Sequence, residues 1–248
     1  MSSLFDLTDR VVILTGASAG VGRMLASGLT GEGAHVVLAA RRAELLAELE
    51  ADLPGSLAVP CDLTVEDDRA RLVARTIERY GRIDGLVNNA GMAGSGLPAT
   101  RQTTEEFVDV LQLDLVAPFD LAKRCLPAFR EQGGGSVVNV TSTAAILSCA
   151  YVFPQAAYCA AKGGLAQLTK ELAAQWARYG VRVNAFAPGV VDTPMHRDTP
   201  RDVMEGLSPM GRPSTVKDIA DAVLYLTEAA TVTGQILYVD GGAHFGRW

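Results

Sequence analysis

The stretch that decides the fold is VVILTGASAGVG, residues 11–22. Its first five residues are apolar and rich in β-branched types, which is typical of a strand buried on both faces. Glycines follow at positions 16, 20 and 22, and a segment with helical periodicity begins at Val21. A strand, a glycine-rich turn and a helix in this order predict the opening unit of an α/β sheet.

The same alternation continues along the rest of the chain. Apolar runs with strand character recur as VVILT (11–15), HVVLAA (35–40), LAVP (57–60), GLVNNA (85–90), SVVNVT (136–141), VRVNAFAP (181–188) and QILYVD (235–240). Segments with helical periodicity separate them at 21–33, 43–53, 65–80, 104–131, 156–179 and 216–227. Strands that alternate with helices predict a doubly wound sheet with right-handed crossovers.

Length and composition predict a single domain over residues 1–248, because 48% apolar side chains supply one sizeable core. No linker, low-complexity stretch or repeat of fixed period interrupts the alternation. The longest irregular segment, 188–213, is rich in proline and methionine. Because loops of this length are usually functional or disordered, its apolar content favours a substrate lid.

The charge pattern argues against nucleic-acid and membrane partners. The net charge is −6 and the 22 lysines and arginines are scattered, so the sequence offers no basic face to a phosphate backbone. The start, MSSLFDLTDR, lacks the apolar run of a secretory signal. No segment reaches the roughly 18 apolar residues of a membrane span. We expect a cytoplasmic protein.

The cysteines and histidines do not indicate a metal site. Cys61, Cys125, Cys149 and Cys159 form no CxxC pair, and the chain has only three histidines. We expect reduced thiols that pack as small apolar residues. The place of Cys159 inside a second motif also allows the alternative of a nucleophile.

The glycines at 16, 20 and 22 predict a binding function as well as a turn. They let the backbone approach a pyrophosphate, whose charge the helix N-terminus stabilises. The alternative is a purely structural turn, and the spacing TGxxxGxG differs from the commoner GxGxxG. The position between a predicted strand and a predicted helix favours a dinucleotide site.

The end of the second predicted strand indicates which dinucleotide is bound. An acidic residue there binds the ribose 2′-hydroxyl of NAD, whereas arginine suits the 2′-phosphate of NADP. This strand ends in Arg41 and Arg42, and the first carboxylate is Glu44. We therefore expect NADP (NADPH), with NAD as the other possibility. The alternative is that both arginines are solvated charges at a helix start.

A second motif, YCAAKGG at residues 158–164, predicts acid–base chemistry. A free phenol titrates near about pH 10 and is a poor proton donor or acceptor at neutral pH. On a helix, Tyr158 and Lys162 lie on one face, and the lysine ammonium stabilises a phenolate. The alternative is a solvated helical pair.

Together with NNAG at 88–91 and PGVVDT at 188–193, these motifs resemble the single-domain form of the short-chain dehydrogenase/reductase family. The resemblance extends to TGQILYVDGG at 233–242 and so covers essentially the whole chain. It implies a Rossmann-type fold with seven parallel strands flanked by helices, a nicotinamide cofactor, and hydride exchange with a carbonyl compound or an alcohol. It also implies a homotetramer or homodimer, in which the helices at 104–131 and 156–179 pack against copies of themselves.

The resemblance assigns catalytic roles to the matching residues. Tyr158 is the proton donor or acceptor, and Lys162 acidifies it and binds the nicotinamide ribose. Ser142, in NVTSTAA, polarises the substrate oxygen. Thr141 and Thr143 flank Ser142, and the alternative is that the hydroxyl groups at this strand end only cap turns.

The motifs and the resemblance together predict the cofactor contacts. Asp62 matches a residue that contacts adenine, with a helix cap as the alternative, and Thr193 matches a hydroxyl that binds the carboxamide. The full predicted set is Gly16, Ser18, Gly20, Val21, Gly22, Arg41, Arg42, Asp62, Leu63, Asn88, Ala90, Gly91, Tyr158, Lys162, Pro188, Gly189, Val191 and Thr193.

One catalytic position departs from the family pattern. Within QLDLVAPF, residues 112–119, the family usually has an asparagine that helps to tether a lysine-bound water, and this chain has Asp114. A carboxylate there favours a charged Lys162 and opposes a phenolate at Tyr158, so we expect the oxidative reaction to favour higher pH. The alternative is that Asp114 points to solvent or to an interface.

The residues expected around the substrate are mostly apolar, which favours a neutral, medium-sized hydrophobic ketone or secondary alcohol; ordinary core packing is the alternative. The candidates are Met92, Leu97, Ile146, Leu147, Tyr151, Phe153, Met195, Met204 and Met210. Arg124, Arg130 and Arg178 are the one indication of an acidic partner, so a 3-oxoacyl-thioester reductase that acts on acyl carrier protein is an alternative. A non-catalytic dinucleotide-binding regulator is an alternative of another class.

Overall fold

The computed structural model describes residues 5–148, 154–193 and 199–245. Its centre is one sheet of seven parallel strands in the order β3-β2-β1-β4-β5-β6-β7, which confirms the predicted fold class. The strands are β1 (Val11–Thr15), β2 (His35–Ala40), β3 (Leu57–Pro60), β4 (Gly85–Asn88), β5 (Gly135–Val140), β6 (Val181–Pro188) and β7 (Ile236–Val239).

The helices overlap the predicted segments. They are α1 (Gly20–Gly31), α2 (Ala43–Asp52), α3 (Glu66–Tyr80), α4 (Thr104–Leu111), α5 (Ala117–Glu131), α6 (Ala156–Trp176), α7 (Arg201–Glu205) and α8 (Val216–Glu228). Helices α1 and α8 each extend one residue beyond the predicted segments, and there are two larger differences. The predicted helix 104–131 contains a π-helical turn, Gln112–Val116, between α4 and α5. The predicted irregular segment 188–213 contains the short helix α7, and its residues 194–198 lie outside the described residues.

The core lies in two layers, one on each face of the sheet. Alternate side chains of β1 point to opposite faces: Val12 and Leu14 pack with α1 and α8, whereas Val11 and Ile13 pack with α3, α5 and α6. All five residues of β1 are buried, which explains why the strand has a continuous apolar run instead of an alternating pattern. Each such aliphatic side chain contributes roughly 1.5–3 kcal/mol by burial.

The strand order sets the position of the functional site. The chain runs outward from β1 to β2 and β3, and then returns to β4 on the other side of β1. Loops that follow β1 and β4 therefore diverge and leave a crevice at the carboxyl ends of the strands, where open α/β sheets bind ligands. In the described ranges, no helix is long and apolar enough to cross a bilayer.

Candidate active site

A cleft of about 1230 Å³ opens at the carboxyl ends of the strands. It has two ends. The glycine end is formed by residues 16, 18–22, 40–42 and 61–64, at or after the ends of β1, β2 and β3. The tyrosine end is formed by residues 92–93, 140–144 and 147–148, by Gln155, Tyr158 and Lys162, and by Gly206, Leu207 and Ala243.

Most of the predicted site residues line this cleft. The predicted residues found there are Gly16, Ser18, Gly20, Val21, Gly22, Arg41, Arg42, Asp62, Leu63, Ala90, Gly91, Ser142, Tyr158, Lys162, Pro188, Gly189, Val191 and Thr193. Two predicted residues, Asn88 and Asp114, do not line it. Since the cleft is larger than the 300–1,000 Å³ of an ordinary small-molecule pocket, it has room for a dinucleotide and a second molecule.

The glycine turn fits a phosphate-bearing cofactor. Gly16 and Gly20 have φ values of +69° and +53°, which disfavour a side chain at either position. A Cβ on Gly22 would lie 2.1 Å from the carbonyl oxygen of Gly16, so the turn closes only with glycine there. A Cβ on Gly20 would meet no protein atom within 4 Å, so a side chain would project into open space.

The N-terminus of α1 is left open to an anion. Its N-cap residue, Ala19, gives no side-chain hydrogen bond, and the first turn holds no acidic residue. The first N–H groups of a helix have no partner within the helix, and the helix dipole favours negative charge there. The residues present therefore fit the pyrophosphate of a dinucleotide.

Arg42 reaches back over the glycine turn. Its Nη2 and Nε atoms lie 2.8 and 3.2 Å from the Ser18 hydroxyl oxygen and donate to it. Arg41 and Arg42 are both exposed. At the end of β3, Asp62 accepts hydrogen bonds from Thr64, which lower the pKa of its carboxyl. Asp62 thus shapes the turn that leads into α3 and lines the cleft as well.

The asparagine pair after β4 is placed differently from the prediction. Asn88 is buried and donates to Asn139 Oδ1 at 2.9 Å, so it joins β4 to β5 and does not line the cleft. The next residue, Asn89, does line it and donates to the carbonyl oxygen of Thr15 at 2.9 Å. Because consecutive strand residues point to opposite sides, a one-residue shift decides which asparagine reaches the cleft.

Ser142, Tyr158 and Lys162 meet at the tyrosine end. Ser142 follows β5, and its hydroxyl oxygen accepts a hydrogen bond from the N–H of Ala144 at 3.1 Å, so it caps a turn and lines the cleft at once. Tyr158 and Lys162 come from α6, with the lysine Nζ 5.4 Å from the centre of the tyrosine ring. Among the described residues none bonds the tyrosine hydroxyl. Thr141 is instead turned to β6, where it donates to Phe186 O at 2.9 Å.

Asp114 lies behind Lys162 and forms a buried ion pair with it. Its Oδ2 is 3.1 Å from the lysine Nζ, and its Oδ1 accepts from the Met92 N–H at 2.9 Å. The Lys162 ammonium also donates to Val140 O at 2.9 Å. Asp114 is fully buried, so it does not point to solvent. A Cβ on Gly91 would stand 2.8 Å from Asp114 Oδ2 and 3.2 Å from the Nζ, so the pair depends on glycine there.

The surroundings of Asp114 oppose its charge. Burial raises the pKa of the Asp114 carboxyl, although the Lys162 ammonium and the Met92 N–H act in the opposite direction. The π-helical turn that carries this residue is a local irregularity of a kind that occurs often at functional sites. Hydrophobic periodicity alone does not predict such a turn.

The described cysteines do not provide a reactive thiol at the cleft. Cys61 lines it, but burial raises the pKa of its thiol to about 12. Cys125 is buried in the core, where the pKa is likewise raised to about 12. Cys159 does not line the cleft, and Cys149 lies outside the described residues. The thiolate, which is the nucleophilic form, is therefore scarce at both buried sites.

The predicted substrate pocket is only partly the observed one. Met92 and Leu147 line the tyrosine end, whereas Leu97, Ile146 and Met210 are exposed elsewhere and Met204 is buried away from it. Tyr151, Phe153 and Met195 lie outside the described residues. The lining residues that sequence reasoning missed include Asn89, Ala93, Thr143, Ser148, Gln155, Gly206, Leu207 and Ala243. The signal available for Gln155 was its place three residues before Tyr158.

Comparisons with known proteins agree with this geometry. A family model described as "Enoyl-(Acyl carrier protein) reductase" matches residues 16–244. L-fucose dehydrogenase of Oryctolagus cuniculus is 34% identical over 99% of this chain and 89% of its own length. Levodione reductase of Leifsonia aquatica is 35% identical over 95% of this chain and 94% of its own.

A solved structure is similar throughout. It is that of the 3-ketoacyl-(acyl-carrier-protein) reductase of Brucella melitensis complexed with NADH, which has a TM-score of 0.91 and 30% identity over 96% of this chain and 100% of its own. These matches agree with the sheet order, the glycine turn and the tyrosine–lysine pair on α6. The chain belongs to the short-chain dehydrogenase/reductase family.

Proposed function

We propose that the protein reduces a neutral, medium-sized hydrophobic ketone, or oxidises the matching secondary alcohol, with NADP(H) as hydride carrier. The coarser activity follows from the family: the chain is an oxidoreductase that acts on a carbonyl or CH–OH group with a nicotinamide dinucleotide. The observation that carries the proposal is the convergence of Ser142, Tyr158 and Lys162 on one end of the cleft that the glycine turn also lines.

The catalytic roles follow from what each side chain can donate. Tyr158 gives its hydroxyl proton to the carbonyl oxygen in reduction and takes it back in oxidation. The Ser142 hydroxyl accepts from Ala144 in the structure and keeps its own proton to donate to the substrate oxygen. When bound, the nicotinamide supplies or takes up the hydride. Lys162 is the buried cation whose field favours charge on the tyrosine oxygen.

Asp114 is the positioning residue of this group. With Val140 O it holds the lysine ammonium at the bottom of the cleft, so Lys162 cannot turn to solvent. Its negative charge also cancels part of the ammonium field at Tyr158. A neutral asparagine would hold the lysine without that cancellation. We therefore expect the oxidative reaction of this chain to favour a higher pH than it would with asparagine at position 114.

The preference for NADP rests on the glycine end. Arg41 and Arg42 bring two guanidinium groups to the end of β2. A carboxylate at this place would instead favour NAD, and neither residue is one. Guanidinium groups bind phosphate through charge-assisted, often bidentate hydrogen bonds. The Brucella relative is complexed with NADH, so the ratio of kcat/KM for NADPH and NADH is the measurement that decides the preference.

The substrate end supports a neutral molecule. Apart from Lys162, every described residue that lines the tyrosine end is uncharged, and Met92, Leu147 and Leu207 are apolar. We propose that the segment 188–213, which supplies Thr193, Gly206 and Leu207 to the cleft, covers the bound substrate as a lid within a single domain.

The 3-oxoacyl-thioester reaction is the second candidate, since the Brucella relative carries that name. The arginines proposed to attract an acidic carrier do not favour it. Arg124 is paired with Asp120 and Glu66, and the guanidinium groups of Arg130 and Arg178 stack on Tyr179. None of the three arginines lines the cleft.

We also propose a homotetramer or homodimer. Along α4, the π-helical turn and α5, Val108, Val116 and Phe119 are 53%, 40% and 40% exposed. Apolar side chains three to eight residues apart form a stripe that a second copy can cover. Light scattering of the purified protein tests this assembly directly.

A panel of ketones and secondary alcohols, assayed with NADPH and NADH, tests the function. We expect turnover of neutral cyclic and aliphatic ketones, with NADPH preferred. Exclusive turnover of acyl-thioester substrates would move the assignment to the second candidate. Cofactor binding without turnover of any panel member would point to a non-catalytic regulator.

A further inference from the structure

The tyrosine end holds a side-chain amide that nothing in the described part of the chain binds. Gln155 is the N-cap residue of α6 and lines the cleft. Its side chain makes no capping hydrogen bond, so it does not serve the helix start as an N-cap usually does. Its backbone carbonyl accepts from the Cys159 N–H at 2.9 Å, which fixes the residue in register with the helix.

The helix places Gln155 in line with the reacting groups. Residues 155, 158 and 162 are spaced i, i+3 and i+7, which puts them on one face. At about 1.5 Å of rise per residue, Gln155 stands about 4.5 Å along the axis from Tyr158, and Lys162 about 6 Å on the other side. Lys162 is buried against Asp114, and Gln155 lies on the other side of Tyr158 along the helix.

The chemistry of the amide limits what it can recognise. It offers two N–H donors and one carbonyl acceptor without charge. Met92, Leu147 and Leu207 line the same end of the cleft and are apolar, so a substrate atom that bonds the amide replaces water in a partly apolar setting. Because no cation other than Lys162 lines this end among the described residues, a carboxylate has no counter-ion beside Gln155.

We propose that Gln155 is a specificity residue that selects substrates with a second neutral oxygen function, a carbonyl or a hydroxyl, two to four bonds from the reacting carbon. This inference rests on the proposed function and narrows its substrate class from hydrophobic ketones in general to oxygenated ones. The substrate presents its reacting oxygen to Tyr158 and Ser142 and its second oxygen to the amide.

Matched ketones test the proposal. Steady-state reduction of cyclohexanone and of cyclohexane-1,4-dione is measured with saturating NADPH for the parent, Gln155→Leu and Gln167→Leu. Gln167 is exposed on the same helix and serves as the control. The second oxygen also changes the intrinsic reactivity of the ketone, so the quantity compared between proteins is the dione-to-monoketone ratio of kcat/KM.

We expect that ratio to fall by about 10-fold in Gln155→Leu, mainly through KM for the dione, and to stay at the parent value in Gln167→Leu. NADPH binding, followed by fluorescence titration, stays unchanged. If Gln155→Leu fails to bind NADPH, Gln155→Glu replaces it: it is isosteric but lacks the N–H donors, so the same fall is expected for a second carbonyl.

The outcomes separate the two claims. A dione-to-monoketone ratio that is the same in the parent and in every folded Gln155 variant would overturn the role of Gln155 and leave the ketone reductase assignment standing. Absence of turnover of any panel ketone by the parent, with either nicotinamide, would overturn the proposed function and this inference with it.

Discussion

The two ends of the cleft are formed by different chemical groups. The glycine end is made of backbone: Gly16, Gly20 and Gly22 open the N-terminus of α1, and Arg42 lies over the turn at the surface. The tyrosine end is made of buried charge, with Lys162 at 3% exposure and Asp114 at 0%. Solvent reaches Arg42, whereas the ion pair of Lys162 and Asp114 is buried from it.

This difference teaches where substitutions should matter most. An exposed ion pair contributes little because solvent screens it, whereas a buried pair that loses one member leaves a charge without compensation. Changes at the tyrosine end should therefore affect chemistry and stability together. Changes at the glycine end should affect which cofactor binds.

The largest expected effect is that of Lys162→Met. The variant loses the ammonium beside Tyr158 and leaves Asp114 without its counter-ion, so kcat should fall by about 10²–10⁴-fold. Lys170→Met, an exposed change on the same helix, is the control and should keep parent activity. A parent-like kcat in Lys162→Met would show that the two ends do not differ as described.

The next effect is expected at the glycine end. Arg42→Ala removes a guanidinium at the end of β2, so kcat/KM with NADPH should fall by about 10–100-fold, while kcat/KM with NADH changes little. Arg23→Ala, which breaks only a surface pair with Asp52, is the control. Equal losses with both cofactors would remove the argument for a 2′-phosphate site.

Asp114→Asn sharpens the comparison through the pH dependence of the rate. Above the raised pKa of Asp114 its carboxyl is ionised and opposes charge on Tyr158. Asparagine removes that opposition, so the rising limb of the rate of alcohol oxidation should move to lower pH. Profiles of kcat/KM for parent and variant measure the shift. A rising limb that stays at the same pH in the variant, or moves to higher pH, would refute the electrostatic role of Asp114.

The smallest effect is on the pH dependence of stability. Burial raises the pKa of Asp114, so the folded chain holds that proton more tightly than the unfolded chain. The resulting stabilisation is full below the unfolded value of about 3.9 and is lost as pH rises through the raised pKa. Asparagine does not titrate, so the free energy of unfolding of Asp114→Asn should not show this loss. The difference in unfolding free energy between variant and parent should therefore shift in favour of the variant as pH rises through that window. Urea midpoints that run parallel at all pH values would contradict this.

Much of the fold could be predicted because buried strands and helix faces require apolar residues, and these form recognisable patterns in the sequence. Strands β1, β2, β3 and β6 match the predicted runs to the residue. For β1 and β2 the reason is that strands covered on both faces have nearly continuous apolar runs. The turn at Gln112–Val116 was not predicted, because a π-helical turn leaves hydrophobic periodicity nearly intact. Helix α7 was missed because five residues between prolines and polar side chains give no periodic signal.

The site was predictable where motif and topology coincide. Glycines 16, 20 and 22 and the pair on α6 sit beside the cleft because strand ends and a helix face place them there. The sequence predicts Asn88 and not Asn89, because it does not show which of two adjacent asparagines faces the cleft. It predicts Leu97, Ile146 and Met210 from their apolar type alone, which does not indicate where a side chain points.

The central claim is that Tyr158 moves the proton to and from the substrate oxygen. Tyr158→Phe tests it most directly, because none of the described residues bonds the tyrosine hydroxyl and its removal should leave the fold intact. The account predicts that NADPH binding persists while ketone reduction falls by about 10²–10⁴-fold at every pH. A variant that binds NADPH and reduces the ketone at the parent rate would contradict it.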